Sequence, residues 1–202
     1  MTKRRQQTGK KPQNNRQSGF VRIISGQWRG RKLPVHDVEG LRPTTDRVKE
    51  TLFNWLAQDI YQAKCLDLFA GSGSLSFEAL SRGAESLTMI ELDQKAAAQL
   101  KQNLTAIGAT NATLHNTNSV NFLNQAGTPH DLVFIDPPFR KDLIQQVITA
   151  LEANHWLSPN ALIYIEAEKE LGSIDVPPSW HLYREKTAGQ VCYRLFIREE
   201  EE

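Results

Sequence analysis

Residues 65–80 read CLDLFAGSGSLSFEAL, and the fold turns on how they are read. An apolar run (Cys65, Leu66, Leu68, Phe69, Ala70) stops at Gly71-Ser72-Gly73. Leu75, Phe77, Ala79 and Leu80 follow among small and polar residues in a helical pattern. A short apolar strand, a glycine turn and a helix make the first βα unit of a parallel α/β sheet. Glycines at 71 and 73 admit positive φ and let a ligand approach the main chain. The helix start just beyond offers N–H groups without helical partners.

A dinucleotide turn wants G-x-G-x-x-G, but residues 71–76 read G-S-G-S-L-S and lack the third glycine. Asp67, at the strand end, would repel a pyrophosphate and suits an ammonium group. A ligand with a cationic amino-acid end and a nucleoside end fits, and S-adenosylmethionine is such a ligand. The stretch alone also admits another nucleotide or a purely structural turn. Leu87 to Glu91 reads as a second strand ending in an acid, placed as in nucleotide-binding α/β folds to accept from ribose hydroxyls. The competing reading is a surface acid beside Asp93, a ready N-cap for a helix over 94–106. After a weak strand at Thr113-Leu114-His115, Asn118 and Ser119 suit either an adenine edge or a helix cap.

The second informative stretch is Asp131 to Phe139, DLVFIDPPF. A buried strand ends in an acid, two prolines and an aromatic residue. The prolines remove two N–H donors, so the turn presents acceptors: the Asp136 carboxylate and the Pro137 carbonyl. Phe139 offers a stacking face. A flat aromatic amine could stack there and donate both amino hydrogens. The plainer reading is a proline turn that only ends a strand.

The chain of 202 residues suits one sizeable domain plus an extension. No apolar run approaches a membrane span, and the basic start lacks the apolar core of a signal peptide, so a cytoplasmic protein is expected. Cys65 and Cys192 read as reduced core residues, and no metal-ligand spacing is present. The net charge of +1 conceals an asymmetry. Residues 1–47 carry 12 Lys and Arg against 3 Asp and Glu, whereas residues 48–202 carry 12 against 20. A basic end on an acidic body points to a polyanionic partner. Residues 1–18 read as a disordered basic tail. Phe20 to Ile24 and Lys32 to Val35 form a hairpin-like pair around Gln27-Trp28-Arg29-Gly30-Arg31, a cluster suited to RNA or, for Trp28, to anchoring the hairpin. Thr44 or Thr45 caps a helix carrying Val48, Leu52, Trp55 and Leu56. Further strands are expected at 161–165, 180–185 and 190–197, the last two as a terminal hairpin.

In order and spacing, DLFAGSG, IELD and FIDPPF resemble the class I S-adenosylmethionine-dependent methyltransferases. With RIISGQWRGRKLPV, GLRPTTDRVKETLFNWL and EKTAGQVCYR, the chain is similar over residues 20–198 to the bacterial RsmD family, which methylates guanine N2 in 16S ribosomal RNA. The resemblance implies a Rossmann-like, seven-stranded, mostly parallel sheet with helices on both faces, a reversed terminal hairpin and a small N-terminal β-hairpin. It divides the chain into the tail 1–18, an RNA-contacting extension 19–43 and a methyltransferase domain 44–202. The implied cofactor set is Asp67, Phe69, Ala70, Gly71, Ser72, Gly73, Glu91, Leu92, Asn118 and Ser119, with Thr44 and Thr45. Of these, Asp67, Gly71 and Gly73 would hold the methionine end and Glu91 the ribose. Asn118 departs from the wider class, which places an acid there. Asp136, Pro137, Pro138 and Phe139 would receive the base, and Arg22, Trp28, Arg29, Arg31, Lys32, Arg42 and Arg47 would meet RNA. The expected partner is 16S RNA or a small-subunit particle, with a monomeric enzyme and no metal. The alternatives are methylation of another planar amine (DNA adenine N6 or protein glutamine), a non-catalytic RNA-binding assembly factor, and, more remotely, a dehydrogenase.

Overall fold

In the computed structural model, residues 19–36, 45–138 and 143–199 are described. The basic tail and the site residues Arg42, Thr44 and Phe139 therefore lie outside the described residues. The chain begins with two short strands, β1 (Phe20–Arg22) and β2 (Lys32–Pro34), then helix α1 (Asp46–Trp55). The βα unit expected at 65–80 follows as β3 (Lys64–Asp67) and α2 (Ser74–Ser81). Next come β4 (Ser86–Glu91), α3 (Gln94–Ile107), β5 (Ala112–Asn116), α4 (Ser119–Leu123) and β6 (His130–Ile135). The chain closes with α5 (Leu143–Ala153), β7 (Leu157–Glu168), β8 (Trp180–Ala188) and β9 (Val191–Arg198).

Seven strands form one sheet in the order β5-β4-β3-β6-β7-β9-β8. The pairs from β5 to β7 are parallel, and β9 runs antiparallel to both β7 and β8. The chain winds outward from β3 to β5, then returns to place β6 on the other side of β3. That reversal leaves a crevice beyond the carboxyl ends of β3 and β6, where open α/β sheets bind ligands. Alternation along the strands builds two cores. Cys65, Met89, Phe134 and Tyr164 face α1, α2 and α3, whereas Leu66, Ile90, Val133 and Ile165 face α4 and α5. A parallel sheet covered on both faces explains the nearly continuous apolar runs.

The N-terminal hairpin pairs Phe20 with Pro34 and Arg22 with Lys32. Two three-residue strands bury too little to stand alone, and Val21, Ile23 and Leu33 join the core under α1–α3. Strand β7 starts earlier than Ala161. At Ser158-Pro159-Asn160 the chain shifts register, between Leu157 opposite His130 and Leu162 opposite Leu132, with Asn160 at φ 60°.

Candidate active site

The first wall of the crevice is the turn after β3. Gly71 and Gly73 sit at φ 51° and 76°. A Cβ on Gly73 would lie 2.3 Å from the Phe77 ring and 2.7 Å from Leu100, so this position needs glycine for space as well as conformation. The turn closes through Gly73 N–H to the Ala70 carbonyl at 2.6 Å and is tied to β4 through Ala70 N–H to the Ile90 carbonyl at 2.9 Å. Asp67 is only 2% exposed and braces the turn. It accepts from the Ser76 hydroxyl at 2.6 Å and from Phe69 N–H at 3.3 Å. Burial pushes its carboxyl up to about 6, while those hydrogen bonds pull the other way. Ala70 and Ser72 are buried; Phe69 and Gly71 are half-buried at the rim.

Glu91 ends β4 and accepts from Gly71 N–H and from Asp93 N–H, each at 2.7 Å. A carboxylate has about four lone-pair sites, so two such bonds leave acceptor capacity for hydroxyls. Leu92, 67% exposed, presents an apolar surface directly after a buried strand. Asp93 caps α3, accepting from Lys95 N–H and Ala96 N–H. Asn118 caps α4 through Asn121 N–H at 3.1 Å, and the buried Ser119 hydroxyl donates to the Leu68 carbonyl. Both residues thus fix the wall between α4 and β3. Asn116, unmarked in the sequence, donates through its amide to the Glu91 and Leu92 carbonyls at 2.8 and 3.0 Å. A polar residue ending a weak strand gives no signal of that task.

The second wall is the turn after β6. Asp136 is half-buried, Pro137 buried and Pro138 exposed. Beneath it lies an aromatic layer: Phe134–Tyr164 at 6.3 Å, Tyr164–Tyr193 at 6.4 Å and Trp55–Tyr193 at 5.6 Å between ring centroids. The Tyr164 hydroxyl donates to Glu166 at 3.0 Å. Burial holds the Tyr164 hydroxyl well above its ordinary range, with the charges of Glu166 and Asp136 adding to it. Burial also raises the Glu166 carboxyl. Tyr164 and Glu166 were invisible in an apolar strand that reads as core.

The hairpin is strapped along α2 and α3. Glu78, fully buried on α2, accepts from Ile24 N–H at 2.8 Å and Ser25 N–H at 3.0 Å and pairs with Arg82 at 2.7 Å. The Ser81 hydroxyl donates to the Ser25 carbonyl and accepts from Trp28 N–H. Asn103 donates to the Pro34 carbonyl at 2.9 Å. Trp28 is half-buried against the core, as an anchor would be. Arg22, Arg29, Arg31, Lys32 and Arg47 are exposed. Arg22 pairs with Asp46 at 2.9 Å, Arg31 donates to the Ala106 carbonyl, and Lys32 lies over the Phe20 ring. Thr45 caps α1 through Val48 N–H at 3.4 Å. Both cysteines are buried and free. Among the described residues no group of three or more His, Cys, Asp or Glu could hold a metal, and no helix is long and apolar enough to cross a membrane.

The chain is 59% identical over 190 residues, 94% of its length and 96% of the relative's, to ribosomal RNA small subunit methyltransferase D of Escherichia coli. It is 56% identical over 93% of its length, and 98% of the relative's, to the protein of the same name from Haemophilus influenzae. The solved structure of the candidate methyltransferase yhhF from Escherichia coli superposes with a TM-score of 0.86 at 56% identity, covering 91% of this chain and all of that one. Residues 21–197 match the family described as conserved hypothetical protein 95. The chain therefore belongs to that family, together with the small-subunit ribosomal RNA methyltransferases D.

Proposed function

We propose that this chain transfers the methyl group of S-adenosylmethionine to the exocyclic N2 of a guanine in small-subunit (16S) ribosomal RNA, acting in the cytoplasm on an assembled or partly assembled particle. The observation that carries this reading is the pairing of two unlike turns at the β3–β6 reversal. One is rich in glycine; the other presents Asp136 and the Pro137 carbonyl. The names of the relatives support ribosomal RNA as the substrate class.

The first wall fits the cofactor. The positive-φ turn leaves main-chain room, Glu91 keeps acceptor capacity, and exposed Leu92 offers a face for a purine. Gly71, Gly73, Glu91 and Leu92 would hold it, with Asp67 bracing the turn from below. When bound, the cofactor supplies an electrophilic methyl group on a sulfonium. The chain's own residues act on the amine. A guanine N2 lone pair is delocalised into the ring and is a poor nucleophile. Asp136 and the Pro137 carbonyl accept its two hydrogens, hold the lone pair toward the crevice and offset positive charge as it forms. Asp136 need not be a strong base, because the methylated amine is acidic and loses its proton late. The base must leave its stack to enter, and Phe139 offsets part of that cost. Residues 19–43 contact RNA, and the tail 1–18 adds basic charge.

The test is methyl transfer from labelled S-adenosylmethionine to 16S RNA, to small-subunit particles lacking the modification and to duplex DNA, with identification of the product nucleoside. N2-methylguanosine in RNA or particle is expected. N6-methyladenine in DNA would overturn the substrate.

A further inference from the structure

Between the hairpin and the starts of α1 and α2 lies a pocket of about 380 Å³, within the size range of small-ligand sites. Arg22, Lys32, Thr45, Asp46, Lys49 and Ser74 line it. Three cations share that space with one carboxylate. Lys49 is 1% exposed. Its ammonium donates to the Arg22 carbonyl at 2.6 Å and lies 3.6 Å from Asp46, which also takes Arg22. Burying a cation is costly unless negative charge answers it; here Asp46 is shared with Arg22, and Glu78, whose charge also acts on Lys49, is itself paired with Arg82.

A second observation points the same way. Ser74 is 6% exposed, and its buried hydroxyl has no hydrogen-bond partner among the described residues. It opens α2, whose N-cap Gly73 supplies no side-chain acceptor and whose first turn carries no acid. The hydroxyl, the helix N-terminus and the ammonium all call for acceptor oxygens. Phe20 and Lys32, on the exposed hairpin, form part of the lining, which connects the pocket to the surface assigned above to RNA.

We propose that this pocket is an oxyanion subsite that takes a backbone phosphate of the RNA near the nucleotide whose base enters the crevice. The proposal rests on the RNA reading above. Ser74 donates a hydrogen bond to the phosphate, Lys49 and Arg22 supply fixed charge, and Lys32 guards the mouth. A carboxylate, such as that of the cofactor's methionine end, shares this chemistry, so the test separates the two sources.

The experiment uses the full chain with Ser74→Ala, Ser74→Asp and Lys49→Met. It reads affinity for a labelled 16S RNA fragment against salt, affinity for S-adenosylhomocysteine by calorimetry, and thermal unfolding. Ser74→Ala should weaken RNA binding about tenfold without lowering the unfolding temperature, because the hydroxyl lost has no described protein partner. Ser74→Asp should weaken it further by charge repulsion. Lys49→Met should lower the slope of log affinity against log salt by about 0.7, one phosphate contact on a single strand. S-adenosylhomocysteine affinity should stay within about twofold in the Ser74 variants. Loss of cofactor affinity in those variants, alone or with RNA affinity, would overturn the phosphate assignment in favour of a carboxylate. Unchanged binding of both would remove the subsite while leaving the methyltransferase reading intact. A wild-type protein that binds no RNA would overturn that reading and the subsite together.

Discussion

The turns after β3 and β6 are neighbours in the sheet and opposites in chemistry. One carries two glycines at positive φ and is stitched by its own donors: Gly71 N–H to Glu91, Phe69 N–H to Asp67, Gly73 N–H to Ala70. The other has two prolines and no donor at either position, so it presents oxygens alone. The first is held by short polar bonds to carboxylates. The second stands on a layer of aromatic rings meeting edge-on or tilted, Phe134, Tyr164 and Tyr193. Neighbouring strand ends can thus provide unlike halves of one crevice, because the main chain itself is either left with its N–H groups or stripped of them.

Four substitutions separate the halves. The largest effect belongs to Asp136→Ala. Turnover on RNA should fall on the order of 10² to 10³-fold, with affinities for S-adenosylhomocysteine and RNA largely kept; near-normal turnover would take Asp136 out of the mechanism. Next is Gly73→Ala, which forces φ 76° on alanine and drives a methyl into the Phe77 ring. A loss of roughly 3 kcal/mol or more is expected in denaturant unfolding, together with weaker cofactor binding, and an unchanged midpoint would show that the turn yields.

Asp67→Asn tests the brace through pH. Burial raises the folded carboxyl to about 6, above its ordinary unfolded value, so the fold favours the protonated form. Its contribution is fully present below about pH 4 and is lost as pH rises through 6. Wild type should therefore gain on Asp67→Asn by up to about 3 kcal/mol between pH 7.5 and 4, read by urea unfolding at both. A gap that does not change with pH would mean that Asp67 is ionised without penalty. The smallest effect is Pro138→Ala. This exposed proline should cost under about 1 kcal/mol and lower turnover only a few-fold, since Asp136 and the Pro137 carbonyl remain. A loss matching that of Asp136→Ala would show that the missing N–H matters more than the acid.

Much of this was legible in the residues. The Gly-Ser-Gly turn and the Asp-Pro-Pro turn carry special backbone requirements, and such requirements show in one-dimensional sequence. The seven-stranded, mostly parallel sheet and its reversed hairpin came from the RsmD resemblance, and the strand order only from the fold, because period-two alternation says which face a residue takes but not which strand lies beside it. Asp67 read as a ligand for an ammonium group; in the fold it also braces the turn, one oxygen accepting from Ser76 nine residues on and the other from Phe69 N–H, a task its sequence position does not announce. Asn116, Glu78 and Tyr164 stayed hidden for a similar reason. Each acts across a long sequence separation, on Leu92, on the hairpin or beneath the Asp136 turn, and each looks ordinary in its own helix or strand. The early part of β7 was hidden by Pro159 and Asn160, which mimic a loop.

Helix α2 joins two tasks along eight residues. Its first residue adjoins Gly73, and its later turns hold the hairpin through Glu78 and Ser81. A displacement of this helix must be felt at both ends. On the proposed reading, binding at the glycine turn and binding at the hairpin would be linked equilibria, and linkage is reciprocal: whatever factor the cofactor lent to RNA affinity, RNA would return to the cofactor.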